Sequence, residues 1–215
     1  MTAGAQPRLR ADARRNRDRI LVTAAAAFAD DGPDVPMEEI ARLAGVGVGT
    51  LYRRFPDREA LLVAVVQDSM ARALGRTRAA AAEATPGQAW DALVRSLSSP
   101  RELRLMMSLT SLASPTTAAA VHADPTTRRI RQEYAEVLDG LVRAAQAEGT
   151  LRPDVGAGDV AHLLSLVAYG LRRTPDATAE IAFERARAIV LDGLRARPRT
   201  PLPGRPLTTT DLEAE

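Results

Sequence analysis

Between Val48 and Phe55 the chain reads VGTLYRRF, which places two hydroxyls, on Thr50 and Tyr52, beside two guanidinium groups, on Arg53 and Arg54. Hydroxyls and guanidinium forks bind phosphate oxygens and the acceptor edges of bases, and a threonine or valine methyl can meet the methyl group of thymine. At helical spacing Leu51 and Phe55 lie one turn apart and face inward, leaving Thr50, Tyr52, Arg53 and Arg54 on or beside the outer surface. A merely solvated helix face accounts for exposed arginines but not for a neighbouring exposed aromatic with a hydroxyl. That set is better explained at a nucleic-acid phosphate.

The elements around this segment must hold it in place. Before it, Met37, Ile40, Ala41 and Ala44 recur at i, i+3, i+4 and i+7, one apolar stripe, while Glu38, Glu39 and Arg42 point elsewhere. Gly45 stops this helix because glycine tolerates the left-handed backbone just past a helix end. Val46 then plugs the angle and Gly47 helps the chain turn. Two short helices with a glycine-bearing turn between them form a helix-turn-helix, which makes duplex DNA the first partner to consider. The spacing Gly45, Gly47, Gly49 also invites comparison with a nucleotide-binding loop, but a helix precedes it where that loop needs a strand.

The stretch MEEIARLAGVGVGTLYRRFPDREALL resembles the amino-terminal domain of the TetR/AcrR family of transcriptional regulators, with the similarity running from about residue 11 to residue 66. The resemblance implies a supporting first helix, here Arg14 to Asp30, with Ile20, Ala24, Ala27 and Phe28 at helical spacing. A fourth helix is expected from an Asp57 N-cap through Val65, Val66 and Met70 to about Arg72. It further implies that Thr50 and Tyr52 contact phosphate or base edges, that Gly49 permits close backbone approach, and that Arg53 holds a guanine or a phosphate. Arg58 stands where the family usually has a backbone-gripping lysine. Gly47 and Val48 replace a common Ser-Lys pair, so Val48 would offer an apolar contact to a thymine. The family's phosphate-holding threonine at the second helix is absent. Here Asp34 can cap that helix and Pro36 suits its first turn.

Composition restricts how such a domain binds. The 215 residues carry 29 basic and 27 acidic side chains, a formal net charge of +2, so attraction to a polyanion must come from local placement. Arg8, Arg10, Arg14, Arg15, Arg17 and Arg19 are offset only by Asp12 and Asp18 in the first helix and its arm, and of these Arg14 and Arg17 are the candidate DNA contacts. Every basic residue is arginine. No cysteine is present, which excludes disulfides and thiolate metal sites. The two histidines, His122 and His162, have no metal-ligand spacing, and no serine has a recognisable base, so neither a cofactor, a metal nor an enzyme activity is expected. Without a signal peptide or a membrane-spanning apolar run, the chain is expected in the cytoplasm.

Beyond residue 72 the pattern is helical throughout, which makes the fold class all-α. Helices are expected over Arg76 to Glu83, Ala89 to Leu97, Pro100 to Ser114, Pro115 to Val121, Thr126 to Ala147, Asp159 to Leu171 and Ala177 to Arg195. The domain organisation follows as a flexible basic arm (1–10), a helix-turn-helix domain (11–56), a helical regulatory and dimerisation domain (57–196) and a disordered Pro-rich tail (197–215). The resemblance implies that the last two helices pair with their mates in a homodimer, through Val160, Leu164, Val167 and Leu171 on one and Ile181, Ile189, Val190 and Leu194 on the other. Candidate pocket residues for a small apolar or amphipathic effector are Trp90, Met106, Met107, Tyr134, His162 and Tyr169. The expected function is a ligand-responsive repressor on a pseudo-palindromic operator. The alternative is a helical dimeric protein-interaction module, or a regulator with no small-molecule ligand.

Overall fold

A computed structural model describes residues 5–32, 34–97, 115–170, 176–197 and 200–212. Its elements, in order, are α1 (Ala5–Asp31), α2 (Met37–Leu43), α3 (Val48–Arg54), α4 (Arg58–Glu83), α5 (Ala89–Ser96), α6 (Pro115–Ala123), α7 (Pro125–Ala147), α8 (Ala157–Gly170), α9 (Asp176–Leu194) and a short 3-10 turn at Thr209–Leu212. Among the described residues the only β pairing is an isolated bridge between Leu151 and Arg195. The chain divides into two compact units, Met1–Ser69 with Ser108–Thr127 and Met70–Met107 with Arg128–Glu215. The expected helix Pro100 to Ser114, including Met106 and Met107, and the dimer candidate Leu171 lie outside the described residues.

The first unit is built on the apolar stripes that the sequence displays. Ile20, Leu21 and Phe28 of α1, Ile40 and Ala41 of α2, Leu51 of α3 and Leu61 and Val65 of α4 are buried. Their removal from water supplies the driving force that short helices lack on their own. Three boundaries differ from the sequence reading. The arm is helical from Ala5, because Ala, Arg and Leu favour helix and Pro7 sits in the first turn, where a missing N–H loses no intrahelical bond. The N-cap of α2 is Pro36, at φ −57° and ψ 142°, with no side-chain hydrogen bond, so Asp34 does not cap the helix. The fourth helix runs without a break to Glu83, since between Arg58 and Glu83 only Gly75 weakens it and no proline interrupts it.

Gly45 performs the expected turn. At φ +61° its N–H donates to the Arg42 carbonyl (3.1 Å), and the Val46 N–H donates to that of Ala41 (3.0 Å), which satisfies two of the carbonyls left open at the end of α2. Gly47 is extended at φ −67°, a conformation open to any residue, so the change of direction rests on Gly45.

In the second unit Trp90 and Leu93 of α5 pack with Leu138 and Val142 of α7, Val160 of α8 and Leu194 of α9. Glu148, just past α7, accepts the N–H groups of Gly87 (2.7 Å) and Ala89 (3.0 Å) and so places a carboxylate at the start of α5. Arg78 and Arg129 both pair with Glu133. The Pro-rich segment expected to be disordered is ordered over residues 200–212, where polar groups of the α7–α8 connection and α8 bind its backbone.

In the first unit, Asp124 caps α7. Its Oδ1 accepts the Thr127 N–H (2.9 Å) and the Gln67 side-chain amide (2.7 Å). The Thr127 backbone N–H is the main influence holding the Asp124 carboxyl below its ordinary range. A carboxylate with a lowered pKa contributes stability that is complete above its unfolded value, near 4, and is lost as the pH falls through the folded one. Asp124→Ala should therefore lower the unfolding free energy by about 0.5–2 kcal/mol at pH 7. The difference from the parent protein should shrink in denaturant titrations below about pH 4.

Candidate nucleic-acid interface

The seven residues of α3 present one face inward and the other outward. Leu51 is fully buried and Phe55, its C-cap, is 5% exposed, whereas Val48 (39%) and Tyr52 (41%) lie open beside the exposed Gly47, Gly49, Arg53 and Arg54. Thr50 is half-buried, and its Oγ1 accepts a hydrogen bond from Arg53 Nη2 at 3.1 Å. This bond steers the guanidinium along the helix surface. Nothing lies within 4 Å of where a Gly49 Cβ would be, so that stretch of backbone is open to a large ligand. Asn16 and Ile20 of α1 and Thr50, Arg53 and Arg54 of α3 border a cleft of about 350 Å³. Arg14 is exposed and Arg17 half-buried, both on α1.

Two features were not expected from the sequence. The Tyr52 hydroxyl donates to Glu38 Oε1 at 3.2 Å, which puts a carboxylate of α2 at the edge of the exposed α3 face. Partial burial, then the Glu38 hydrogen bond, raises the Tyr52 phenol above its ordinary value, with Arg58 opposing, so the hydroxyl remains a donor at neutral pH. Glu38 and Tyr52 are 14 residues apart on different helices, and no spacing rule links them. Asn16 was legible in principle, since it precedes the buried Ile20 by one helical turn and shares its face. The second feature is Arg58. Its Nη1 donates to the Val35 carbonyl at 2.7 Å, tying the start of α4 to the segment leading into α2.

Comparison with known proteins bears on this arrangement. The family described as bacterial regulatory proteins, tetR family, matches residues 20–65, and the C-terminal domain described as transcriptional regulator SbtR-like matches residues 85–196. The chain belongs to the TetR family of transcriptional regulators. Among its TetR relatives, the HTH-type transcriptional repressor KstR of Mycobacterium tuberculosis is 32% identical over 67% of this chain and 65% of its own length, so about a third of that relative is unmatched. The HTH-type transcriptional regulator UidR of Escherichia coli is 26% identical over 86% of this chain and 96% of its own. A TetR transcription regulatory protein from Mycobacterium vanbaalenii superposes with a TM-score of 0.60 at 33% identity, covering 87% of this chain and 99% of that one.

The second unit of this TetR chain does not gather the candidate pocket residues into one site. Trp90 is buried in the core with the Arg195 guanidinium 4.6 Å from its ring centroid. Tyr134 packs against the same core, where burial raises its phenol and the Arg76 charge, then the Thr77 hydroxyl, oppose this. His162 and Tyr169 are exposed. The dimer candidates also separate. Val160, Leu164 and Leu194 are buried in their own chain, where they belong to the internal core. Val167 and Val190 are half-buried, and Ile181 (65%) and Ile189 (70%) are exposed. On α8, Leu163, which the sequence places in the same apolar stripe, is exposed, as are Leu166 and the pocket candidate Tyr169. Among the described residues no group of acidic, histidine or cysteine side chains is placed to hold a metal, and no helix is long and apolar enough to cross a membrane.

The internal partner of Arg58 gives a test. Arg58→Ala should lower the unfolding free energy by about 1.5–3 kcal/mol, the range for a hydrogen bond from a charged group. An unchanged urea midpoint would mean that water replaces the guanidinium at the Val35 carbonyl.

Proposed function

We propose that this protein is a cytoplasmic repressor that binds a pseudo-palindromic DNA operator as a homodimer and is released by a small apolar or amphipathic effector. The observation that carries the reading is the two-sided character of α3: Leu51 fixes the helix from beneath, and Val48, Tyr52, Arg53 and Arg54 stand open, with Thr50 half-buried beside them, on a face about as long as a few base pairs. Arg53 and Arg54 are assigned to phosphate or guanine, Val48 to a thymine methyl, Tyr52 to a phosphate, and Arg14 and Arg17 to the flanking backbone. Gly47 and Gly49 let the duplex approach the start of the helix. Arg58 is assigned a positioning role through Val35. The name of the KstR relative, a transcriptional repressor, favours repression over activation.

The homodimer reading rests on the last two helices. Leu163, Leu166 and Tyr169 recur at helical spacing on α8, and Ile181 and Ile189 on α9, all exposed. Large apolar side chains clustered on adjacent helices mark an interaction surface. A two-fold pairing through them presents two copies of α3 to half-sites about 34–36 Å apart. An effector acts by fitting better when the two reading heads are misplaced for that spacing, a coupling typically worth about 1–3 kcal/mol.

Fluorescence anisotropy against duplex DNA from upstream of the protein's own gene, with a scrambled duplex and a salt series, tests the DNA reading. Selective binding is expected, and Tyr52→Ala with Arg53→Ala should abolish it while the helical circular dichroism is unchanged. Retained binding in that variant would remove α3 from the interface. Separately, Leu166→Asp with Ile189→Asp should convert the dimer to monomers in sedimentation velocity and weaken operator binding. A dimer that survives both changes would place its interface elsewhere.

A further inference from the structure

In the second unit, residues 200–212 fold back as a strap over the start of α8 and the end of α9, bordering a half-open cavity of about 520 Å³. The docking is tight at two points. A Cβ on Gly156 would lie 3.0 Å from the Leu207 carbonyl carbon and 3.3 Å from Pro206 Cβ, and one on Gly158 would lie 2.6 Å from the Thr208 carbonyl carbon. Only residues without a side chain fit beneath the strap. Backbone hydrogen bonding confirms the register: Gly158 N–H donates to the Leu207 carbonyl (3.0 Å), and Leu207 N–H donates to Asp159 Oδ2 (3.0 Å). Further along, Leu202 N–H donates to Asp154 Oδ2 (3.1 Å) and Arg152 Nη2 donates to the Thr200 carbonyl (3.2 Å).

Both arginines that line the cavity are paired within the chain. Arg152 forms a two-pronged pair with Asp154, and Arg205 does the same with Asp211. Asp159 Oδ2 is occupied by the N–H groups of Gly156 and Leu207. An anionic ligand would meet paired guanidinium groups and the negative charge of Asp159. The remaining lining is largely apolar, supplied by Leu163, Val190 and Leu194 from the helices and by Leu202, Pro203 and Leu207 from the strap. His162 also lines the cavity and makes no hydrogen bond to any described residue.

We propose that α8, α9 and the strap form a binding site for a small uncharged apolar molecule carrying one hydrogen-bonding group, which meets the His162 ring. The volume lies within the range of small-molecule sites, about 300–1,000 Å³, and an apolar wall with a single polar anchor is the arrangement such sites use. The strap is the roof of this site, so the site exists only while the strap is docked. The proposal concerns binding alone and stands or falls independently of the DNA reading.

The test is titration of the full chain with Nile red, an uncharged solvatochromic dye, without DNA. A saturable blue shift in emission with one dye per protomer is expected. Gly158→Val, which leaves no room for the strap, and Leu202→Arg, which puts a charge into the roof, should each weaken binding by about tenfold. Circular dichroism should show the helices unchanged in both. His162→Phe should weaken competition by an uncharged alcohol more than competition by the matching alkane. Binding unaffected by either roof substitution would overturn the assignment, because the dye would then occupy another site. Absence of saturable binding would overturn it as well. Binding confined to the monomeric Leu166→Asp, Ile189→Asp variant would also overturn it, by showing that a second copy of the chain fills the cavity.

Discussion

A helix of seven residues is too short to persist in water, because the cost of its first turn is not recovered over so few further hydrogen bonds. The position of α3 therefore depends on burial of Leu51 and Phe55 against the core that α1, α2 and α4 build around Ile20, Phe28, Ile40 and Leu61. The hydrogen bonds around it follow from that burial. Gly45 closes α2 so that the chain arrives at Gly47 in the right direction. Asp57 Oδ1 accepts the Ala60 N–H at 2.7 Å and begins α4 directly after the exit from α3. The exposed residues of α3 contribute little to this anchoring. They can be chosen for recognition without loss of fold.

The electrostatics have the same local character. A chain with 29 basic and 27 acidic residues creates no strong overall field, so its attraction to a polyanion is confined to patches. Exposed ion pairs such as Arg42 with Glu39 leave the net field of their patch almost unchanged and add little to stability. The Glu38 carboxylate beside Tyr52 reduces the positive potential where α3 is most open, which weakens indiscriminate attraction to phosphate. Because every cation is an arginine, directional forks take the place of compact ammonium charges throughout.

The helix-turn-helix was legible in the sequence because three local signals agree there: the apolar stripe from Met37 to Ala44, the glycine at position 45, and the inward pair Leu51 and Phe55. Agreement between levels makes a segment readable. The break expected after Arg72 was absent because a lone Gly75 in Ala- and Arg-rich sequence weakens a helix without ending it. Helical periodicity also identified the apolar stripes of α8 and α9 but could not say which side meets the chain's own core. Val160 and Leu164 turned inward, while Leu163 and Leu166, their neighbours in sequence, stayed exposed. The strap was illegible for a different reason. Its composition is poor in core-forming residues, and what orders it is backbone hydrogen bonding to residues such as Asp154 and Asp159, 48 positions earlier in the chain.

Glu148 constrains the order in which the protein can be made. The helix it caps, α5, has only eight residues, and the carboxylate that satisfies its first N–H groups lies 59 positions beyond Ala89 and 61 beyond Gly87. Most of the side chains that pack with Trp90 and Leu93 also come late, from α7, α8 and α9, with Ala80 of α4 an earlier contribution. During synthesis α5 therefore leaves the ribosome without its cap and with most of its core still to come. The first unit waits for less, since residues 5–69 contain α1, α2, α3 and the start of α4 and its remaining segment ends at Thr127. Synthesis thus delivers the residues of the helix-turn-helix unit before those that complete the core of the second unit.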